Sequence, residues 1–343
     1  MLKKTVLKKM CHNSDMNGSN SFSRRDFLAS LAAFGAAGMP CLRAGPLSLK
    51  MQPIRGGTAD SVLDVTRIEL PVGATKPFGA LHLSDTHLNF WDVGDFCGNK
   101  PRERYCARRW VRFPQALQSF YASIDYASER GLVMLHTGDL LDWNTRANRS
   151  VLARAVKGVD VHYAIGNHEY HSSESSKIPQ MTHPEARRSL EGIFGASLTV
   201  SSRTVNGVNF VAYDNGEVNL REETVSGVKA EFAKGLPVVL MCHIPPVYTK
   251  RFLDNAVVSR RNILLGQGED ESAIAALPYP EPIEGRYDER TRRFYDWLRD
   301  QRQLKAILCG HTHVEERDRF SDTADMIVAG GNYEGCAREI RFT

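Results

Sequence analysis

The chain has 343 residues, 42% of them hydrophobic, with 44 Lys and Arg against 40 Asp and Glu and a formal net charge of +4. That is ample material for the core of one large or two small globular domains, and no repeat or low-complexity tract is visible. The positive balance lies in residues 1–44, where Lys3, Lys4, Lys8, Lys9, Arg24, Arg25 and Arg43 face only Asp15 and Asp26, a surplus of +5 that leaves the remainder at −1; such near-neutrality argues against a nucleic-acid binder.

Ser23-Arg24-Arg25-Asp26-Phe27-Leu28, followed by an Ala- and Gly-rich apolar run to Met39, resembles a twin-arginine export signal. The run over 27–42 is shorter than the ~20 apolar residues of a spanning helix and contains Gly35, Gly38 and Pro40. Cleavage after Ala44 is expected, with Ala36-Ala37-Gly38 as a competing site, and the signal implies the twin-arginine translocase as partner and a periplasmic or cell-envelope destination. Past residue 44 the cysteines are Cys97, Cys106, Cys242, Cys309 and Cys336, an odd number without a Cys-x-x-Cys pair, which argues against a thiolate zinc site. Cys97 and Cys106 could close a small disulfide loop; Cys242 and Cys309 sit in apolar runs and read as buried thiols.

From residue 62 onward strands and helices alternate. The patterns predict strands over 68–72 and 78–83, a helix over 114–130 with Ala116, Phe120, Ile124 and Ala127 on one face and Gly131 after its end, and a strand over 132–135. A helix over 151–156 leads to a strand in which Val161, Tyr163 and Ile165 alternate with smaller or polar residues until Gly166 stops it. A helix near 186–194 follows, then a hairpin over 204–210 turning at Asn206-Gly207. Apolar runs over 237–241 and 304–308 read as buried strands, and the last strands are 326–329 and 337–342.

Five of these runs deliver polar residues at their C-terminal ends, where ligand sites of α/β sheets lie. The set is Asp85, His87, Asp139, Asn167, His168, His243, His311 and His313. These are oxygen and imidazole donors without a thiolate, and no serine or cysteine nucleophile stands beside a base in a recognisable elbow, so the set points to metal binding. Singly, each motif also fits a turn, a cap or a core histidine. In the order Asp-x-His, Gly-Asp, Gly-Asn-His-Glu, His, Gly-His-x-His, from Asp85 to His313, they resemble the calcineurin-like metallophosphoesterase superfamily.

That resemblance implies an α/β fold, a four-layer α/β/β/α sandwich of two mixed sheets, in one domain over 45–343. It puts Asp85, His87, Asp139 and His313 on one metal ion and Asp139, Asn167, His243 and His311 on a second, with Asp139 bridging. His168 would face the substrate phosphate and leaving oxygen, with Glu169 as a candidate orienting partner. Nitrogen and oxygen donors suit iron, manganese or zinc as two divalent or trivalent ions. Two carboxylates against two such ions leave a net positive site aimed at an anion, and a pair ~3.5–4 Å apart can bind a phosphoryl oxygen and lower the pKa of a bridging water. The implied reaction is hydrolysis of a phosphate mono- or diester.

Asp142 stands where purple acid phosphatases carry a Tyr three residues after the Asp of Gly-Asp, which argues against an iron-phenolate centre, and only 30 residues follow His313, too few for the substrate domain of exported two-domain nucleotidases. Insertions over 90–113, with Trp91, Phe96, Tyr105, Trp110, Arg102, Arg104, Arg108, Arg109 and Arg112, and over 245–293 read as pocket walls or as solvated surface. As walls, they suit a phosphate on a ring or a lipid-like head. His82, His136 and His162 read as structural; His171 and His183 lie in the loop after the metal stretch, within possible reach of substrate. Two other classes stay open: a binding protein with a non-catalytic metal centre, and a nuclease, which the charge disfavours.

Overall fold

The computed structural model describes residues 62–92, 95, 100–171, 181–255 and 283–343. The expected export signal, Phe96, Cys97 and residues 256–282 lie outside them, so the Cys97–Cys106 pairing does too.

The frame is two mixed sheets. In the first, β1 (Asp64–Leu70), β11 (Cys336–Phe342), β2 (Phe78–Leu83), β3 (Val133–His136) and β4 (Val161–Tyr163) lie side by side in that order. Strands β2, β3 and β4 are parallel, whereas β11 runs antiparallel to β2. The second sheet has the order β5 (Val200–Val205), β6 (Val208–Tyr213), β7 (Val238–Met241), β8 (Leu304–Cys309), β10 (Ala324–Val328), β9 (Glu316–Ser321). Its four inner strands are parallel and its edges antiparallel. Among the described residues the helices that accompany the sheets include α1 (Lys100–Arg112), α2 (Ala116–Arg130), α3 (Arg146–Ala155), α4 (His183–Phe194), α5 (Glu222–Phe232) and α6 (Glu289–Arg299). None in the described residues is long and apolar enough to cross a membrane.

Strand periodicity creates two apolar layers. Val239 and Met241 of β7 join Ala80, Leu135, Phe210, Leu308, Ile340 and Phe342, contributed by both sheets, to form the core between them. Val238 and Leu240, one residue out of phase, meet Val225, Val228 and Phe232 of α5 and Phe294, Tyr295 and Leu298 of α6. On the opposite side α2 packs on β2 and β3, burying Ala116, Phe120, Ile124 and Ala127. The layers run helix, sheet, sheet, helix as expected, and each buried Leu, Val or Phe contributes ~1.5–3 kcal/mol by leaving water.

The β5–β6 turn is the expected one, with Asn206 at φ 45° and Gly207 at φ 82°. Helix α3 begins at Arg146, five residues earlier than predicted, because Thr145 accepts a hydrogen bond from the Asn148 amide and caps it. The apolar residues mark only its buried half. Helix α4 likewise starts at His183, behind a capping box of Thr182 and Glu185.

Candidate metal centre

Strands β2, β3 and β4 of the first sheet and β7 and β8 of the second run out into the loops that carry the eight singled-out residues. Five of these, Asp85, His87, Asp139, His311 and His313, have φ between 50° and 73°. Non-glycine residues rarely sit in this left-handed region, at ~1–3 kcal/mol each, and do so where surrounding contacts over-determine them. Here the loops hydrogen-bond one another: the Asp85 amide donates to the Gly138 carbonyl at 3.0 Å, His87 to Asp139 at 2.9 Å, and Gly310 to His243 at 2.9 Å. Two motif glycines leave room for the carboxylates. A Cβ on Gly166 would fall 2.3 Å from Asp139 Oδ1, and one on Gly310 would fall 2.4 Å from Asp85 Oδ2.

The side chains gather into two adjoining groups. His313 Nε2 lies 3.2 Å from Asp85 Oδ1 and 3.1 Å from His87 Nε2, so a carboxylate and two imidazoles converge. Beside them, His243 Nε2 lies 3.1 Å from Asp139 Oδ2 and 3.2 Å from His311 Nδ1. Asp139 Oδ2 is also 3.8 Å from His87 Nε2, which puts that one oxygen between the groups. The outward nitrogens are held as well: His87 Nδ1 by Asp142 Oδ1 at 3.1 Å, His243 Nδ1 by the Thr137 carbonyl at 2.8 Å, and His313 Nδ1 by the Tyr333 hydroxyl at 3.2 Å. Such outer contacts fix ring orientation and leave the inner nitrogen to a ligand. Asn167 Oδ1 is buried with no hydrogen-bond partner, costly for an amide oxygen unless something positive meets it. The donors therefore fit two cations, three to four ligands each, in a chemistry open to iron, manganese or zinc.

The electrostatics agree. Burial opposes ionisation of Asp85, but the imidazoles of His313, His87 and His243 outweigh it and hold the carboxyl well below its usual range; burial is likewise outweighed at Asp139, chiefly by His243 and His168. Burial opposes charge on His87, yet Asp142, Asp85 and Asp139 push that imidazole up to about 9. His243 also rises to about 9, against burial, through Asp139 and Asp85. His311 goes the other way, to about 3, because burial and then the nearby His243 penalise its charge. The carboxylates thus call for positive charge inside the cluster, and a cation there would displace protons.

His168 occupies the open side. Its side chain is 21% exposed, against 0–2% for Asp85, His87, Asp139 and His243. Its amide donates to Asp139 Oδ1 at 2.9 Å, its Nδ1 lies 3.1 Å from the Asp142 carbonyl and 3.3 Å from Asp142 Oδ1, and its Nε2 lies 3.9 Å from Asp139 Oδ2. Asp142, read from the sequence only as a missing Tyr, is thus the residue behind His168. Glu169 does not fill that place. Its buried carboxylate accepts from the amides of Asp139 at 3.1 Å, Leu141 at 2.9 Å and Gly166 at 2.9 Å, so it ties two site loops together. No sequence signal separates these roles beyond proximity to the motifs.

The remaining histidines divide as follows. His136 Nε2 bonds Thr86 Oγ1 at 2.9 Å and His82 Nε2 bonds Thr137 Oγ1 at 2.9 Å, both fully buried, and His162 is buried in β4, so all three are structural. His171 lies near His168, its ring tilted at 57° and 5.1 Å between centroids, whereas His183 stacks on Tyr170 at 4.2 Å and pairs with Glu217. Cys242 and Cys309 are buried thiols, and burial raises Cys242 to about 12. Trp91 and Cys106 of the first insertion form a small core with Trp143, with Trp110 against it, and Phe113 stacks on His87 at 4.7 Å and 10°.

The family model for calcineurin-like phosphoesterases matches residues 80–315, more than half of the chain. Among solved structures, a dimetal phosphatase from Danio rerio is similar at 12% identity and a TM-score of 0.43, covering 76% of this chain and 91% of its own. A phosphopantetheinyl hydrolase from Mycobacterium tuberculosis has 14% identity and a TM-score of 0.36, with 75% and 90% covered. A 5'-nucleotidase from Candida albicans has 14% identity and a TM-score of 0.34, with 74% of this chain and 46% of its own covered. No curated protein matches the chain.

Proposed function

Because the chain belongs to the calcineurin-like phosphoesterase family, we propose that it is an exported dinuclear-metal phosphoesterase hydrolysing a phosphate mono- or diester. The observation that carries this reading is the placement of Asp139 Oδ2 between two groups of imidazoles, 3.1 Å from His243 Nε2 and 3.8 Å from His87 Nε2. Asp85, His87, Asp139 and His313 would hold one ion and Asp139, Asn167, His243 and His311 the other. Two such ions, when bound, supply the positive charge that draws in a phosphoryl group and make water nucleophilic near neutral pH.

The chain's own contribution to bond breaking falls to His168. Its Nδ1–H donates to the Asp142 carbonyl, which leaves Nε2, 3.9 Å from Asp139 Oδ2, as the nitrogen that would meet substrate. As a water oxygen bonds to phosphorus and gives up its proton to solvent, the ester P–O bond breaks and His168 passes its Nε2 proton to the departing oxygen, taking one back from solvent afterwards. Tyr333 and Phe113 pack, buried, beside His87, at 5.9 and 4.7 Å between centroids. The aromatic and arginine content of the first insertion's sequence supports a phosphate borne on a ring or a lipid-like head as substrate class.

Export rests on the Ser-Arg-Arg-Asp-Phe-Leu string. It would carry a folded, metal-loaded chain through the twin-arginine translocase to the periplasm or cell envelope. Elemental analysis combined with hydrolysis of p-nitrophenyl phosphate and bis(p-nitrophenyl) phosphate tests the enzymatic reading. Two bound ions with turnover of either ester support it. Two ions with no turnover point to a non-catalytic centre, and cleavage confined to nucleic acid points to a nuclease.

A further inference from the structure

A charged contact from Arg109 ties the first insertion to the centre. Arg109 of α1 reaches Asp142 with Nε 3.2 Å from Oδ1 and 3.1 Å from Oδ2, and its Nη2 closes a second bond to Oδ1. Asp142 is fully buried and the Arg109 side chain only 16% exposed. The same carboxylate takes His87 Nδ1 at 3.1 Å and Asn89 Nδ2 at 3.1 Å, and lies 3.3 Å from His168 Nδ1, which it shares with the main-chain carbonyl of the same residue at 3.1 Å. One buried carboxylate therefore stands behind a metal-site imidazole and behind the more open His168, and the guanidinium is what spans both its oxygens.

We propose that Arg109 is a positioning residue for the hydrolysis, fixing through Asp142 the ring of His168 so that Nε2 meets the departing oxygen; this rests on the phosphoesterase reading above. A buried carboxylate shared by two imidazoles can turn toward either, and a bidentate guanidinium removes that freedom because its two parallel donors set the carboxylate plane. The helix that brings Arg109 is itself fixed. Cys106 packs with Trp91 and Trp143, the residue after Asp142, Trp110 meets Phe90 at 5.5 Å, and Arg109 lies 4.9 Å over the Phe113 ring that stacks on His87. Arg109 thus comes from a segment outside the metal-binding motifs yet sets the aim of a residue inside them.

The test compares Arg109→Ala, Arg109→Lys, His168→Ala and the Arg109→Ala/His168→Ala double variant, each in the metal-loaded full chain. Arg109→Ala is expected to keep two ions, to lower kcat ~10–100-fold with little change in KM, and to lose more on alkyl than on p-nitrophenyl esters. Added guanidinium should recover much of the loss, Arg109→Lys should recover part of it, and in the His168→Ala background Arg109→Ala should cost nothing further. A raised KM at unchanged kcat, loss of an ion, or an undiminished cost in the His168→Ala background each overturns the proposal. If the wild type hydrolyses no ester, the phosphoesterase reading fails separately. The positioning claim is then decided by imidazole ¹⁵N spectra of zinc-loaded protein: one His168 tautomer in wild type and a mixture in Arg109→Ala supports it, and the same tautomer in both refutes it.

Discussion

Glu169→Gln asks whether this carboxylate ties the site loops together or serves the chemistry. Glu169 Oε2 accepts from the amides of Asp139 and Gly166, and Oε1 accepts from Leu141. A glutamine of the same shape can satisfy only one side. If its amide oxygen takes the Asp139 and Gly166 donors, its NH₂ faces the Leu141 N–H, donor against donor. One charge-assisted bond is lost and a buried donor is left unpaired, together ~3 kcal/mol, moderated because burial and the neighbouring Asp139 already raise the pKa of Glu169 and disfavour its charge. For a domain of this size, that is a fall in Tm of about 5 °C. Thermal unfolding followed by circular dichroism, with and without added metal, measures it. The variant should also weaken metal retention, since Gly166 and Asp139 move apart, while the ratio of rates on good and poor leaving groups stays that of the wild type. An unchanged Tm would refute the tie, and a changed leaving-group ratio would return Glu169 to the role of partner for His168.

His168→Ala should keep both ions and lower kcat by ~10²–10⁴, less for esters whose leaving group is already a stable anion; loss of metal, or the same factor on all esters, counts against the proton-donor role. Burial, the largest influence, lowers His136 to about 3, so the unfolded chain takes up a proton below about 6.5 while the folded chain does not. The stability this contributes is present above pH 6.5 and lost as pH falls toward 3, ~2 kcal/mol by pH 5; His136→Gln should flatten the wild-type slope of Tm against pH there, and equal slopes would refute the assignment. Changing Arg24 and Arg25 together to Lys should hold the protein in the cytoplasm on cell fractionation; normal export would exclude the twin-arginine route.

Much of the scaffold was legible because the sheets need it to be. Buried parallel strands are near-continuous apolar runs, so β2, β7 and β8 stand out, and each ends where a chemically distinctive residue begins. Helix α6 was not legible: Phe294, Tyr295 and Leu298 bury one side of an otherwise charged segment, and α1 has the same arginine-rich character. Strand β9, Glu-Arg-Asp-Arg-Phe-Ser, is an edge whose charges protect it from pairing and hide its period. At the site, the residue types declared themselves, but their backbone did not. Asp85, His87, Asp139, His311 and His313 adopt a left-handed conformation usually signalled by glycine. Nor could Asp142 be read as the residue behind His168, because the contacts that define it join Asp142 to His87, 55 positions earlier, and to Arg109, 33 positions earlier.

The central claim is that one carboxylate, Asp139, joins two metal sites that hydrolyse a phosphate ester. Elemental analysis of wild type and Asp139→Asn, on the preparations used for hydrolysis before and after chelation, addresses it directly. Two ions per wild-type chain are expected, with turnover abolished by chelation and restored by iron, manganese or zinc, and at most one ion with no turnover in Asp139→Asn. Two tightly held ions in Asp139→Asn, or wild-type turnover indifferent to chelation, would contradict it.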